Sequence, residues 1–235
     1  MSPLLMIALA FVILTIIGVP LFASVGLTTV LALYLIDIPY TLLAQTGYSS
    51  LTPFPLLTIP LFVLAGRLME VGGMATRMIG IATSLVGAYR GSMGLVTVFA
   101  CMLFAALSGS GPATTAAIGS VTVPAMKKDG YDVPFAASIT ASAGALGSLI
   151  PPSNLMIIYG LVSETSIPRL FLAGIVPGLI VTLLLMFTTY IIARRRNYGG
   201  DGDPFAWGPF GKAAWDGKWS MGAPVLILGG IYGGG

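Results

Sequence analysis

Apolar residues run almost without a break from Pro3 to Ile36, with no alternation that would suggest a half-buried strand. As one helix this run would be about 50 Å long, against a hydrocarbon layer of about 30 Å, so a single crossing cannot absorb it. Gly18-Val19-Pro20 falls mid-run. Proline removes a backbone donor there, which predicts either two short helices or one strongly kinked helix. Residues 38–55 are more polar, with Pro39, Pro53, Pro55, Gly47 and Gln45, and are expected to form an interfacial loop. A second apolar run, Leu56 to Leu68, leads into Arg67, Glu70 and Gly72-Gly73. Arg67 and Glu70 stand three apart and are expected to pair at a helix end. Met74 to Tyr89 forms a further stretch before Arg90-Gly91.

The next pattern is the most informative. Gly94 to Leu107 is apolar, Ser108-Gly109-Ser110-Gly111-Pro112 interrupts it, and Ala113 to Met126 resumes before Lys127-Lys128-Asp129-Gly130. Each half is about 14 residues, or about 21 Å of helix, too short to span alone, while the two together exceed one span. A re-entrant hairpin satisfies both lengths. Val133 to Ser163 then crosses, interrupted near Gly147 to Ser153, and Leu170 to Ala193 returns to Arg194-Arg195-Arg196. With this path Arg90, Lys127-Lys128 and Arg194–Arg196 all fall on one face, as cytoplasmic clusters of positive charge do. A single crossing through 94–126 would separate them. Residues 197–220 are polar and glycine-rich with Trp207, Phe210, Trp215 and Trp219 beside Lys212 and Lys218, a composition suited to lying on a bilayer surface or packing within the protein. A new apolar run starts at Met221 and reaches only Gly235, which predicts a continuation.

Composition sharpens this picture. The chain is 56% hydrophobic and 8% charged, with mean hydropathy +0.96, whereas a soluble domain carries about 25% charge. The expected fold is therefore all-α and membrane-embedded, with multiple spans, a re-entrant hairpin and a discontinuous helix. The net charge of +3 is spread in short clusters with no basic stripe, which argues against nucleic acid as a partner. There is no histidine, which removes Ser-His and Cys-His catalysis and His-ligated zinc or haem. Cys101 is a single thiol inside an apolar run and reads as a small core residue. The N-terminus lacks a basic region and its apolar run is too long for a cleaved signal, so it reads as a first span.

Chemistry is expected at the two interruptions, Ser108 to Thr115 and Gly147 to Asn154. Unwound backbone inside a bilayer leaves carbonyls and amides without partners, each costing several kcal/mol in hydrocarbon. Such breaks persist where protein, water or a bound ion satisfies them, and carriers use them to coordinate sodium and to meet anionic groups at half-helix N-termini. Pro112 and Pro151-Pro152 are placed to begin second half-helices. The competing reading is a pair of kinks whose hydroxyls bond back to their own helix. Small residues around both breaks, Ala105, Ala106, Ala113, Ala116, Ala117 and Gly119, then Ala136 to Ala145, allow close helix packing under either reading.

Four runs, IPLFVLAGRLMEVGG (59–73), LFAALSGSGPATTAAIGSVTVPAMKKDGYD (103–132), GSLIPPSNLMIIYG (147–160) and SIPRLFLAGIVPG (166–178), resemble the large permease subunit of tripartite ATP-independent periplasmic (TRAP) transporters, the DctM-like family. The resemblance implies half of an elevator-type, sodium-coupled importer of organic acids in the bacterial inner membrane, multi-pass. It implies a small membrane subunit and a periplasmic solute-binding protein as partners, sodium as coupling ion and no other cofactor. It implies a sodium site between the hairpin tip and the following broken helix, nominating Ser108, Gly109, Ser110 and Thr114 with Gly147, Ile150 and Pro152, chiefly through backbone carbonyls. Ser153 and Asn154 become substrate-facing candidates. A second, inverted half is expected beyond this chain.

The expected organisation is scaffold helices and interfacial loop (1–55), scaffold or arm helices (56–91), transport hairpin and broken helix (92–165), a membrane helix (166–196), a linker (197–220) and the start of a second repeat (221–235). Three rivals remain at this level. A carrier of similar architecture could work without a binding protein. A channel or scaffold needs no coupling ion. An intramembrane hydrolase would need a base near Ser108 or Ser110, and Lys127 and Lys128 sit at the hairpin foot rather than its tip. The reading is therefore not an enzyme. The substrate itself is not encoded in these motifs.

Overall fold

A computed structural model of the chain describes residues 2–87 and 91–199, together with Trp215, Gly222, Leu226, Gly229, Gly230 and Gly233. Among these residues the structure is entirely helical, with eleven α-helices and no strand. The expectations for Tyr89-Arg90, for most of 197–220 and for most of the run from Met221 lie outside the described residues. The chain divides into two units, Met1–Leu57 and Thr58–Gly235.

The first unit resolves the choice left open at Gly18-Val19-Pro20. Two separate helices flank that point, α1 (Pro3–Ile16) and α2 (Leu21–Leu35), packed on each other. Ser24, Thr28 and Leu33 are buried, while Leu4, Phe22 and many other apolar side chains face outward, as a lipid-contacting surface would. The stretch 38–55, expected as a loop, contains helix α3 (Thr41–Leu51). Pro39 and Pro53 flank that helix instead of interrupting it, so their missing donors cost nothing inside it.

Helix α4 (Phe54–Val71) crosses the division between the units; its residues from Thr58 belong to the second, and there Arg67 pairs with Glu70 as expected. Gly73, at φ +73°, turns the chain by 68° into α5 (Met74–Val86). Next come α6 (Ser92–Ser108) and α7 (Gly111–Lys128). The pairings between them run antiparallel. Thr97 Oγ1 lies 3.9 Å from Met126 Sδ, and Ser108 Oγ lies 2.7 Å from Thr114 Oγ1. At the foot, the Gly94 amide donates to Tyr131 Oη over 3.3 Å. Tyr131 is buried, which raises its phenol pKa above the ordinary value and keeps it a neutral acceptor there. The expected hairpin is therefore present, with both feet at one end.

The second interrupted segment is also broken as expected. It comprises α8 (Val133–Gly144), a single turn α9 (Leu146–Leu149), extended backbone through Ser153, and α10 (Asn154–Val162), bent by 44° overall. Helix α11 (Ile167–Arg195) is 29 residues long, about 43 Å, and is apolar enough to cross a membrane. Two more spans are available if each bent pair, Thr58–Val71 with Met74–Val86 and Val133–Leu149 with Asn154–Val162, acts as one. The core lies around α6, which packs against α5, α7, α8, α9 and α11. Val96, Val98, Ala100, Cys101, Phe104 and Leu107 are all essentially inaccessible, as a helix apolar on every side must be when it is enclosed.

Candidate functional site

The hairpin tip is made by local rules. Gly109 ends α6 in the left-handed region at φ +58°, and its amide bonds back to the Ala105 carbonyl at 3.1 Å. Ser110 then returns to extended backbone as N-cap of α7, its hydroxyl accepting from the Ala113 amide at 3.5 Å, with Pro112 in the first turn. Two residues thus reverse the chain, the Ser110 carbonyl accepting from the Thr114 amide at 3.0 Å and the Gly109 carbonyl left without a partner in either helix.

The other break closes directly onto this tip. The Asn154 amide donates to the Gly109 carbonyl at 3.0 Å, a backbone hydrogen bond between the two interruptions. A Cβ on Gly109 would stand 2.8 Å from the Pro152 carbonyl oxygen, and one on Gly147 would stand 2.6 Å from both the Ser110 carbonyl and the Thr114 hydroxyl. Only a bare backbone permits either approach. Gly144 meets Thr115 in the same way, so α8 and α9 lie against the first turns of α7.

A compact group of oxygens results. Ser108 and Thr114 are buried and share a hydroxyl–hydroxyl bond, and the Ser110 carbonyl lies 3.4 Å from Ser108 Oγ. The Gly109 and Pro152 carbonyls complete one side. Asn154 Oδ1 is buried with no hydrogen-bond partner, the one such side-chain atom among the described residues. An amide oxygen without a donor normally costs about 1–3 kcal/mol. The backbone of the same residue is tied to Gly109 by its amide, so Asn154 brings to the break an acceptor free for a cation or a donor. Beside the tip, a groove of about 530 Å³ runs along Gly111, Pro112, Thr115, Ala141, Ala145 and Ser148, walled by small residues and by no charged one.

Most nominated residues converge here: Ser108, Gly109, Ser110, Thr114, Gly147, Pro152 and Asn154. One sits differently from expectation. Ser153 is fully buried, and its hydroxyl donates to the Ser148 carbonyl at 2.7 Å, so it braces the break instead of facing the groove. Ile150 was nominated for its carbonyl, and its side chain turns to α11, where a Cβ on Gly178 would meet its Cγ1 at 2.8 Å. That contact exposes a support missed in the sequence. Gly174 and Gly178, four apart on α11, seat the break, since a Cβ on Gly174 would stand 2.8 Å from the Leu149 carbonyl. The Gly-x-x-x-Gly spacing was the available signal. Gly66 of α4 was also missed; a Cβ on it would stand 3.8 Å from the Ser108 carbonyl oxygen.

Residues 7–235 match the family described as the tripartite ATP-independent periplasmic transporter, DctM component. The chain is similar to the isethionate TRAP transporter permease protein DctMQ of Oleidesulfovibrio alaskensis, at 43% identity over 95% of this chain and 35% of that protein. It is similar to the C4-dicarboxylate TRAP transporter large permease protein DctM of Vibrio cholerae, at 45% identity over 93% of this chain and 49% of that one. It is also similar to the ectoine/5-hydroxyectoine TRAP transporter large permease protein UehC of Ruegeria pomeroyi, at 40% identity over 82% and 45% respectively. The chain spans between about a third and a half of the length of these relatives.

Proposed function

The chain belongs to the DctM family of tripartite ATP-independent periplasmic transporters, and from that premise we propose that it supplies half of the large permease subunit of a sodium-coupled organic-acid importer in the bacterial inner membrane. The observation that carries the reading is the bond from the Asn154 amide to the Gly109 carbonyl, together with the buried, unpartnered Oδ1 of the same residue. Hard, uncharged oxygens from two broken helices suit an alkali cation that must bind and leave in each cycle. Sodium here is cargo, held by the Ser108 and Thr114 hydroxyls, the Ser110 and Pro152 carbonyls and the Asn154 amide oxygen.

Bound sodium ties the tip to the break, and the adjoining groove, open to the first turn of α7, receives an acidic group of the substrate at the positive helix end. Residues 92–165 move as the transport body and residues 1–55 belong to the scaffold. A periplasmic binding protein delivers the substrate and a small membrane subunit braces the scaffold. Relatives are named for isethionate, C4-dicarboxylates and ectoines, and the choice among such substrates is assigned here largely to that binding protein. Each net positive charge carried inward across 100 mV releases about 2.3 kcal/mol, or more than tenfold accumulation at about 1.4 kcal/mol per decade.

Uptake into proteoliposomes holding the full-length permease, its small subunit and the binding protein tests this reading. Uptake driven by a sodium gradient and absent in potassium buffer is expected. Equal uptake in potassium would refute the coupling, and sodium-driven uptake without the binding protein would refute the tripartite assignment.

A further inference from the structure

The opposite end of the hairpin concentrates charge. Helix α7 finishes in Lys127 and Lys128, and α11 finishes in Arg194 and Arg195 with Arg196 as its cap, all five exposed. The foot brings these helix ends together. The Gly199 amide donates to the Asp129 carbonyl at 3.1 Å, the Tyr131 and Tyr198 rings stack at 4.7 Å, and a Cβ on Gly91 would strike Ala193. Lys128 is one residue from that hydrogen bond and Arg196 is three, so the two basic runs share one small patch.

One cation is already engaged. Arg196 pairs with Asp132 at 3.3 Å and lies over the Phe135 and Tyr198 rings. Lys127, Lys128, Arg194 and Arg195 have no ion pair among the described residues. Helix dipoles favour cations at both helix C-termini and a cytoplasmic face collects such clusters, but neither effect requires the two runs to meet in one patch. The apolar surface beneath completes the pattern. Leu183, Leu184 and Phe187 of α11 are more than half exposed. At 100° per residue, Arg194 stands above Phe187 two turns on, and Arg195 above Leu184 three turns on.

We propose that the joined ends of α7 and α11 form a site for an anionic phospholipid. Lys127, Lys128, Arg194 and Arg195 receive the headgroup phosphate, Leu184 and Phe187 lie along an acyl chain, and the Arg196–Asp132 pair with the Tyr131–Tyr198 stack holds the two helix ends in register. The apolar stripe below the cations selects a lipid over a soluble phosphate. The site stands whether or not the hairpin tip binds sodium.

Electron spin resonance of spin-labelled lipids in bilayers containing the full chain tests the proposal. Phosphatidylglycerol is expected to be immobilised about two- to fivefold over phosphatidylcholine. The combined Lys127→Gln, Lys128→Gln, Arg194→Gln and Arg195→Gln variant is expected to bring that ratio close to one. Arg169→Gln, at the far end of α11, is expected to leave it unchanged. The single variants Lys128→Gln and Arg195→Gln, each at an exposed position, keep the test decisive if the combined variant does not fold; each is expected to lower the ratio in part. Excess inorganic phosphate, matched against chloride at equal ionic strength, should not release the lipid. No preference in the parent, a preference retained by the variants, an equal loss in Arg169→Gln, or displacement by phosphate would overturn the proposal.

Discussion

Two breaks in this chain are written in similar residues and come to different ends. Gly18-Val19-Pro20 and Gly109-Ser110-Gly111-Pro112 each stop an apolar helix with a left-handed glycine, at φ +89° and +58°, and each has a proline at the start of the next helix, Pro20 as the cap of α2 and Pro112 in the first turn of α7. At Gly18 nothing lies within 4 Å of where a Cβ would stand, and the turn closes on itself through Gly18 to Thr15 and Val19 to Leu14. At Gly109 another broken helix arrives, delivering the Asn154 amide and the Pro152 carbonyl. A break in an apolar run is therefore a turn until a second interruption closes over it. Its glycine can then be read twice, once for conformation and once for clearance.

Substitutions that treat the two breaks alike should separate them. The largest effect is expected for Gly109→Val, which combines left-handed strain with a clash on the Pro152 carbonyl. A loss of about 2–5 kcal/mol and of sodium-driven uptake is predicted, while Gly18→Ala should cost about 1–2 kcal/mol and keep uptake. Thermal melting and proteoliposome uptake on both variants check the pair. Gly147→Ala comes next, at about 1–3 kcal/mol, because its methyl enters the space between the Ser110 carbonyl and the Thr114 hydroxyl. Sodium affinity, read from the sodium dependence of uptake, should fall more than protein yield.

Asn154→Leu sharpens the contrast further. If Oδ1 were merely a buried unpaired atom, removing it would stabilise the protein and leave the sodium response unchanged. As a ligand, its removal should raise the half-saturating sodium concentration about tenfold, equivalent to about 1.4 kcal/mol. The smallest effect is expected for Ser24→Ala beside the first break, where a 3.3 Å bond to the Val19 carbonyl is lost. About 0.5–1 kcal/mol of stability should go, with no change in sodium response.

Hydrophobic spacing made the helices, the hairpin and the broken helix legible, because length against bilayer thickness leaves few arrangements. The convergence of Ser108 to Thr114 with Gly147 to Asn154 was legible from shared composition and from the family resemblance. Which atoms face the site was not. Ser153 turned onto Ser148, since a residue in extended backbone can point to either side and only its neighbours decide. Helix α3 was not legible because proline content marks a loop or a helix boundary equally well, and here Pro39 and Pro53 are boundaries.

The central claim is that the two joined interruptions hold sodium. Melting of the full-length permease in detergent, titrated with sodium chloride against potassium and choline chloride at equal ionic strength, tests it most directly. A ligand bound only by the folded state adds about 2.7 kcal/mol at a hundred times its dissociation constant. A melting temperature that rises with sodium alone, and fails to rise in Asn154→Leu, is the predicted result. Identical curves in sodium and potassium would contradict the account.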